Sequence, residues 1–159
     1  MARVRESATA PLPVVRAAEL WWTVERWPTF IEGFAHALEK DPSWPHVGSK
    51  LVWESIPEGR GRVTERVVGF VAPNEGPGKL ATQVFEEALT GVQTVTFEPG
   101  EGGTAVTIEL EYELQPTTFW RQGPIGKLAD VFFIRRALSD SLARTLRRFR
   151  VEAAEETAL

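Results

Sequence analysis

The sequence predicts an α+β domain: a curved, seven-stranded antiparallel sheet wrapped around a long C-terminal helix, with two short helices between strands one and two. Three observations predict it. From Phe34 to Leu114 apolar and polar residues alternate with period two, interrupted by Gly- and Pro-rich turns. Ahead of that region, Val14, Ala17, Ala18, Trp21 and Trp22 recur at helical spacing. Behind it, residues 127–151 carry an apolar stripe at three–four spacing.

The elements follow in order. Residues 2–9 alternate loosely and read as the first strand. Pro13 sits near a helix start, where its missing N–H does no harm, and the helix runs over 14–22. Pro28 pushes Trp27 away from α geometry, which predicts a break over 23–27 and a short helical turn over 28–32. Strands are expected at 34–40, 50–56, 61–72, 79–88, 92–98 and 104–114, joined by turn-rich segments such as "PEGRG", "PNEGPG", "LTG" and "PGEGG". The last strand is the clearest: Val106, Ile108, Leu110, Tyr112 and Leu114 share one face, and Thr107, Glu109, Glu111 and Glu113 the other. That is an antiparallel sheet with one wet face, and its short connections favour hairpins over crossovers.

Residues 115–126 read as a connector. The helix over 127–151 presents Leu128, Val131, Phe132, Leu138, Leu142, Thr145, Leu146 and Phe149 on one side. It is about 37 Å long at ~1.5 Å per residue, enough to cross the hollow face of a bent sheet. A long helix cannot fill such a hollow, so a cavity is expected beneath it. Residues 151–159 are expected to fray.

Composition narrows the function. A chain of 159 residues is expected to form one domain spanning 1–159. It has no cysteine, which excludes thiol nucleophiles, disulfides and thiolate metal sites. A net charge of −4 argues against a general nucleic-acid binder. No run of ~18 apolar residues is present, so stable membrane insertion is not expected, and the N-terminal stretch lacks a secretory pattern. A cytoplasmic protein is the default. No metal-ligand, phosphate-loop or triad spacing stands out, and "GPGKL" (76–80) is a turn. No metal or cofactor is expected.

Certain stretches carry a resemblance. "ERWPTFIEGF" (25–34), "GSKLVWES" (48–55), "GRVTERV" (61–67), "GGTAVTIELEYEL" (102–114) and "SLARTLRRF" (141–149) occur in the order and spacing of the START-like, or SRPBCC, superfamily. Within it the chain resembles the polyketide cyclase/dehydrase and lipid-transport group. The resemblance covers nearly the whole chain and implies the helix-grip fold. It also implies a helix-to-sheet cavity for a hydrophobic ligand such as a lipid, sterol or polyketide. The group has no universal catalytic motif, so the resemblance implies a ligand class more than a reaction.

Few residues can act as acid or base in such a cavity. His36 alternates with Phe34 and Leu38 and is a candidate proton shuttle, or else a strand histidine bonded to backbone or solvent. Glu65 lies in "GRVTERVV". If Val63, Glu65 and Val67 face inward, it is a carboxyl in an apolar cavity, suited to acid/base work or ligand anchoring. If they face outward, Arg66 points in instead. The resemblance favours the first register. Trp53 is expected inward with Leu51, leaving Glu54 wet. Tyr112, the single tyrosine, lies on the apolar face, where it can orient a ligand or simply pack. Six arginines on the long helix, from Arg135 to Arg150, read as its solvated face rather than as a membrane or nucleic-acid surface.

Trp27 and Phe30 are expected at the cavity mouth, and Val131 and Leu138 on the helix above it. The expected ligand contacts are therefore Trp27, Phe30, Trp53, Glu65, Tyr112, Val131 and Leu138. The partner is a hydrophobic small molecule, and the chain is a monomer or homodimer. Carriage or sensing of that molecule is one function; cyclisation or dehydration of a polyketide-like substrate by Glu65 or His36 is the alternative. A third is an interaction protein that keeps the fold without a ligand.

Overall fold

A computed structural model describes residues 1–74, 76–115 and 123–158, with side chains throughout except at 123–131. The strands are β1 (Ala2–Ala10), β2 (Phe34–Lys40), β3 (Lys50–Ser55), β4 (Arg62–Val71), β5 (Gly78–Phe85), β6 (Leu89–Gly100) and β7 (Gly103–Leu114). Between β1 and β2 lie helix α1 (Val14–Trp22), a three-residue 3-10 turn (Val24–Arg26) and helix α2 (Trp27–Phe30). Helix α3 (Gly123–Ala158) closes the chain. The sheet order is β1-β7-β6-β5-β4-β3-β2, and every pair of neighbours is antiparallel. The predicted α+β architecture, two short helices included, is the one observed.

Alternation sets which residues enter the core. On β4, Val63, Glu65 and Val67 are buried while Arg62 and Arg66 are exposed. On β3, Leu51 and Trp53 are fully buried. Both registers left open or expected by the sequence are therefore settled inward for Glu65 and Trp53. On β7 the buried set is Thr104, Val106, Ile108, Leu110 and Tyr112.

An aromatic knot ties α1, α2 and α3 to one end of the sheet. The Trp21 ring lies 5.4 Å from Phe30 and 5.2 Å from Phe149, and Phe30 lies 5.1 Å from Phe149. Such tilted and edge contacts are favourable beyond the area they bury. Trp22, its neighbour on α1, turns instead toward Phe70 and Phe97.

Several boundaries differ from expectation. Trp27 adopts α geometry (φ −56°, ψ −34°) although a proline follows it. Its buried indole N–H donates to the Trp21 carbonyl at 2.6 Å, and that tertiary bond overrides the local bias. "LTG" does not end a strand. The turn lies at 86–88, where the Glu86 N–H donates to the Leu89 carbonyl, and β6 begins at Leu89. Gly91 is a strand-interior glycine facing Tyr112; a Cβ there would sit 2.3 Å from the Glu111 carbonyl oxygen. It marks close backbone approach rather than a turn.

The C-terminal residues do not fray where expected. Helix α3 continues to Ala158. Ala153 is fully buried, Thr157 donates to the Pro11 carbonyl, and Glu152 and Glu156 both pair with Arg26. These contacts hold the last turns against α1 and the turn behind it.

Candidate functional site

A recess lies between the inner face of the sheet and α3. Its apolar wall is Trp21, Trp27, Ile31, Trp53, Leu80, Val95, Ile108 and Leu142; its polar groups are Glu32, Arg60, Glu65, Thr82, Gln93, Ser141 and Thr145. It gives about 40 Å³ of room to the centres of water molecules, within a wider space of about 560 Å³ that includes its mouth. The smaller volume decides what fits without movement. Small-molecule pockets run to ~300–1,000 Å³, so a ligand-sized guest does not fit without movement.

Glu65 is the buried polar centre, 5% exposed. The Trp53 indole N–H donates to its Oε2 at 2.8 Å, and the Thr82 hydroxyl donates to its Oε1 at 2.9 Å. Cross-strand pairing brings them together: Leu51 and Glu65 are partners on β3–β4, and Glu65 and Val84 on β4–β5. Trp53 and Thr82 each lie two residues along the same face. The Arg60 guanidinium lies over the Trp53 ring, 5.2 Å from its centroid. Arg60 Nε donates to Glu86 Oε2 at 2.5 Å, and its Nη2 is ion-paired with the same oxygen at 2.5 Å. Burial pushes the Glu86 carboxyl above the usual carboxylate range; Arg60 pulls it down in part, and the nearby Glu65 adds to the rise. The order of contact is thus Glu86, Arg60, Trp53, Glu65, Thr82.

A second carboxyl, Glu32, reaches the recess from the turn between α2 and β2. Arg144 Nε on α3 donates to its Oε1 at 2.7 Å. Its backbone N–H donates to Thr145 Oγ1 at 3.1 Å. Its Oε2 is buried and has no hydrogen-bond partner among the described residues.

The other expected site residues distribute unevenly. Trp27, Trp53 and Glu65 line the recess. Phe30 does not; it is fully buried behind Trp21, against Phe149. Tyr112 packs in a neighbouring cluster with Val4, Leu89 and Leu110, and Leu138 covers that cluster rather than the recess. Burial raises the Tyr112 phenol above its usual range, against a lowering influence of Arg135. His36 stands away from the recess. Its side chain is 61% exposed and its Nε2 lies 3.4 Å from Glu54 Oε2 on the adjacent strand. The pairing of β2 with β3 shifts register between Phe34 and His36, so the alternation that buries Phe34 does not carry His36 inward. The side chain of Val131 lies outside the described residues.

Glu32, Arg60, Thr82 and Thr145 were not singled out by sequence as site residues. Two had a signal. Thr82 interrupts the inward face between Leu80 and Val84, and Thr145 interrupts the apolar stripe of α3. A polar residue at a core position asks for a partner. Among the described residues, no group of three or more His, Asp or Glu could hold a metal ion.

This arrangement, a bent antiparallel sheet gripping a long helix over a mixed apolar and polar recess, defines a helix-grip domain. Residues 1–154 match the family described as polyketide cyclase / dehydrase and lipid transport, and the chain belongs to that family. No curated protein matches it significantly. Solved structures show the same fold. The di-domain aromatase/cyclase StfQ of the steffimycin biosynthetic pathway superposes with a TM-score of 0.73 at 14% identity, over 99% of this chain and 52% of StfQ. A Staphylococcus aureus protein of unknown function gives 0.72 at 12% identity, over 99% and 96% of the two chains. A Thermus thermophilus protein gives 0.69 at 16% identity, over 98% and 99%.

Proposed function

We propose that the chain holds a hydrophobic small molecule, lipid- or polyketide-like, in the recess between sheet and α3, for carriage or sensing. The observation that carries this reading is the wall itself. Three tryptophans and several aliphatic side chains surround a few converging polar groups, the usual makeup of a small-molecule site. The family description, which names lipid transport beside cyclase and dehydrase activity, supports it. In this reading Trp27 and Trp53 meet the body of the ligand and Glu65 meets its polar end. A ligand-sized guest enters only when side chains lining the recess, such as Leu142, shift. A cytoplasmic location and a monomeric or homodimeric state belong to the same proposal.

One observation favours a second reading, a cyclase or dehydratase. Glu65, Thr82, Gln93 and Glu32 converge on one space rather than leaving the cavity wholly apolar. Proton transfer from a bound substrate needs such a positioned group within hydrogen-bond reach.

Native mass spectrometry of freshly purified protein tests the first reading. The expected spectrum carries an adduct of lipid or aromatic mass, or gains one on incubation with a mixed extract of cellular lipids and aromatics. A protein that stays clean after that incubation contradicts it. Loss of water from, or cyclisation of, the adduct over time would move the assignment to the second reading.

A further inference from the structure

We infer that the chain docks on an anionic bilayer surface through the outward face of α3, with Phe132 and Phe133 in the apolar layer and Arg5, Arg135 and Arg136 at the lipid phosphates. The inference goes beyond the ligand-holding reading and stands or falls without it.

It starts from two side chains that the fold does not use. Phe132 is 73% exposed and Phe133 75% exposed. The sequence places Phe132 in the stripe that faces the sheet, but the helix turns it out. Leu142 marks the sheet side of α3, since it lines the recess. At ~100° per residue, Phe132 lies about 80° and Phe133 about 180° around the helix from Leu142. Two adjacent, protruding phenyl rings mark a contact surface rather than a scattered apolar residue.

The charges around them have one sign. Arg135 and Arg136 follow on the next turn and are exposed. An open groove beside Phe132, between α3 and the start of β1, is lined by Arg3, Arg5, Arg135, Arg136 and a single acid, Asp140. Arg3 is committed to Glu109 and Glu111. Arg5, Arg135 and Arg136 form no ion pair among the described residues. A cationic face thus stands on a chain whose net charge is −4. A plain solvated helix face would account for the arginines but not for the phenylalanines among them.

The combination favours a bilayer over other anionic partners. The rings stand on a convex ridge, and a folded partner would need a pocket shaped to receive them. A fluid acyl layer needs none. Aromatic side chains immersed at the headgroup boundary, with arginine stems reaching back to the phosphates, are how interfacial helices bind. A second copy is disfavoured, because two such faces bring like charges together. Among the described residues no helix is long and apolar enough to cross a membrane, so the contact is docking on the surface.

The test is co-sedimentation of the full chain with vesicles of pure phosphatidylcholine and of equal parts phosphatidylcholine and phosphatidylglycerol, at low salt. Binding is expected to the second and not to the first. Arg135→Gln with Arg136→Gln should weaken it about 25-fold, at about fivefold for each charge near the surface. Phe132→Ser with Phe133→Ser should weaken it at least about tenfold, the range of one immersed phenyl ring. Arg62→Gln with Arg66→Gln removes the same charge from exposed positions on β4 and should leave binding within about twofold of wild type. These positions are all exposed, and unchanged thermal melts confirm that the variants fold.

Folded protein that does not sediment with phosphatidylglycerol vesicles overturns the inference, and so does equal sedimentation with both vesicles. If the phenylalanine pair leaves binding intact while the arginine pair abolishes it, the face is an electrostatic patch for any polyanion, a nucleic acid or an acidic protein included, and bilayer docking is refuted. An equal loss in the β4 arginine pair refutes the assignment to α3.

Discussion

Removing the Glu65 carboxyl tests whether the site is built from hydrogen bonds or from charge. Glu65 accepts from Trp53 at 2.8 Å and from Thr82 at 2.9 Å. The indole N–H can only donate, whereas the threonine hydroxyl can also accept. Glu65→Gln can therefore satisfy both partners, its oxygen toward Trp53 and its amide toward Thr82. The expected cost is under about 1 kcal/mol, since no buried group loses its partner. Glu65→Leu keeps a similar volume but orphans the indole N–H of a fully buried tryptophan. An unsatisfied buried donor costs ~1–3 kcal/mol. The recess has room for a water that can take part of this bond, so the expected loss is about 2 kcal/mol. In a Trp53→Phe background the donor is gone, and Glu65→Leu should cost about 1–2 kcal/mol less. Urea unfolding followed by circular dichroism measures all four corners of the cycle. The reasoning is refuted if the glutamine and leucine variants lose the same stability, because charge and not acceptor count would then matter. Additive single mutants would refute it equally.

Other predictions follow from the same contacts. Phe149, fully buried between Trp21 and Phe30, seats α3. Phe149→Ala should cost ~3–5 kcal/mol in urea unfolding, and a loss under about 1 kcal/mol would show that α3 is seated elsewhere. Tyr112 is the only tyrosine, so ultraviolet difference absorbance reads it alone. Its phenol is raised from the ordinary 10.0 by burial. The folded state then keeps the proton longer than the unfolded state, and stability falls as pH climbs above 10.0 toward the raised value. Ionisation at or below 10.0 in folded protein would show a wet hydroxyl. Glu86 is raised from 4.5, chiefly by burial. The native state there binds its proton more readily than the unfolded chain, so this group removes stability as pH rises from 4.5 through its folded value. Glu86→Gln should flatten that part of the stability profile, and an unchanged profile would contradict the assignment.

Much of the fold was legible because its cause is local. Period-two alternation marked all six strands after Phe34, and three–four spacing marked α3. The errors came where tertiary contacts outweigh local signals. The α geometry of Trp27 is fixed by a bond to Trp21, and the last turns of α3 by Arg26, Pro11 and the burial of Ala153. Gly91 looks like a turn residue, but its reason is a close approach to another strand.

The site was legible only in part. Alternation offered two faces for Glu65 and could not choose between them; the structure turns it inward. His36 was misplaced because the register shift that exposes it lies in the β2–β3 pairing, invisible along one strand. Glu32 carries no periodic signal at all. It lies in a turn, and its place in the recess is made by Arg144 and Thr145, more than a hundred residues away.

The central claim is that the recess under α3 receives a ligand. Titration of the protein with β-naphthol, followed through the six tryptophan indole signals, tests it most directly. Trp27 and Trp53 line the recess, whereas Trp22 packs outside it against Phe70 and Phe97. The account predicts saturable shifts of the Trp27 and Trp53 signals with the Trp22 signal in place. Shifts confined to Trp22, or no saturable shift at any indole of the folded protein, would contradict it.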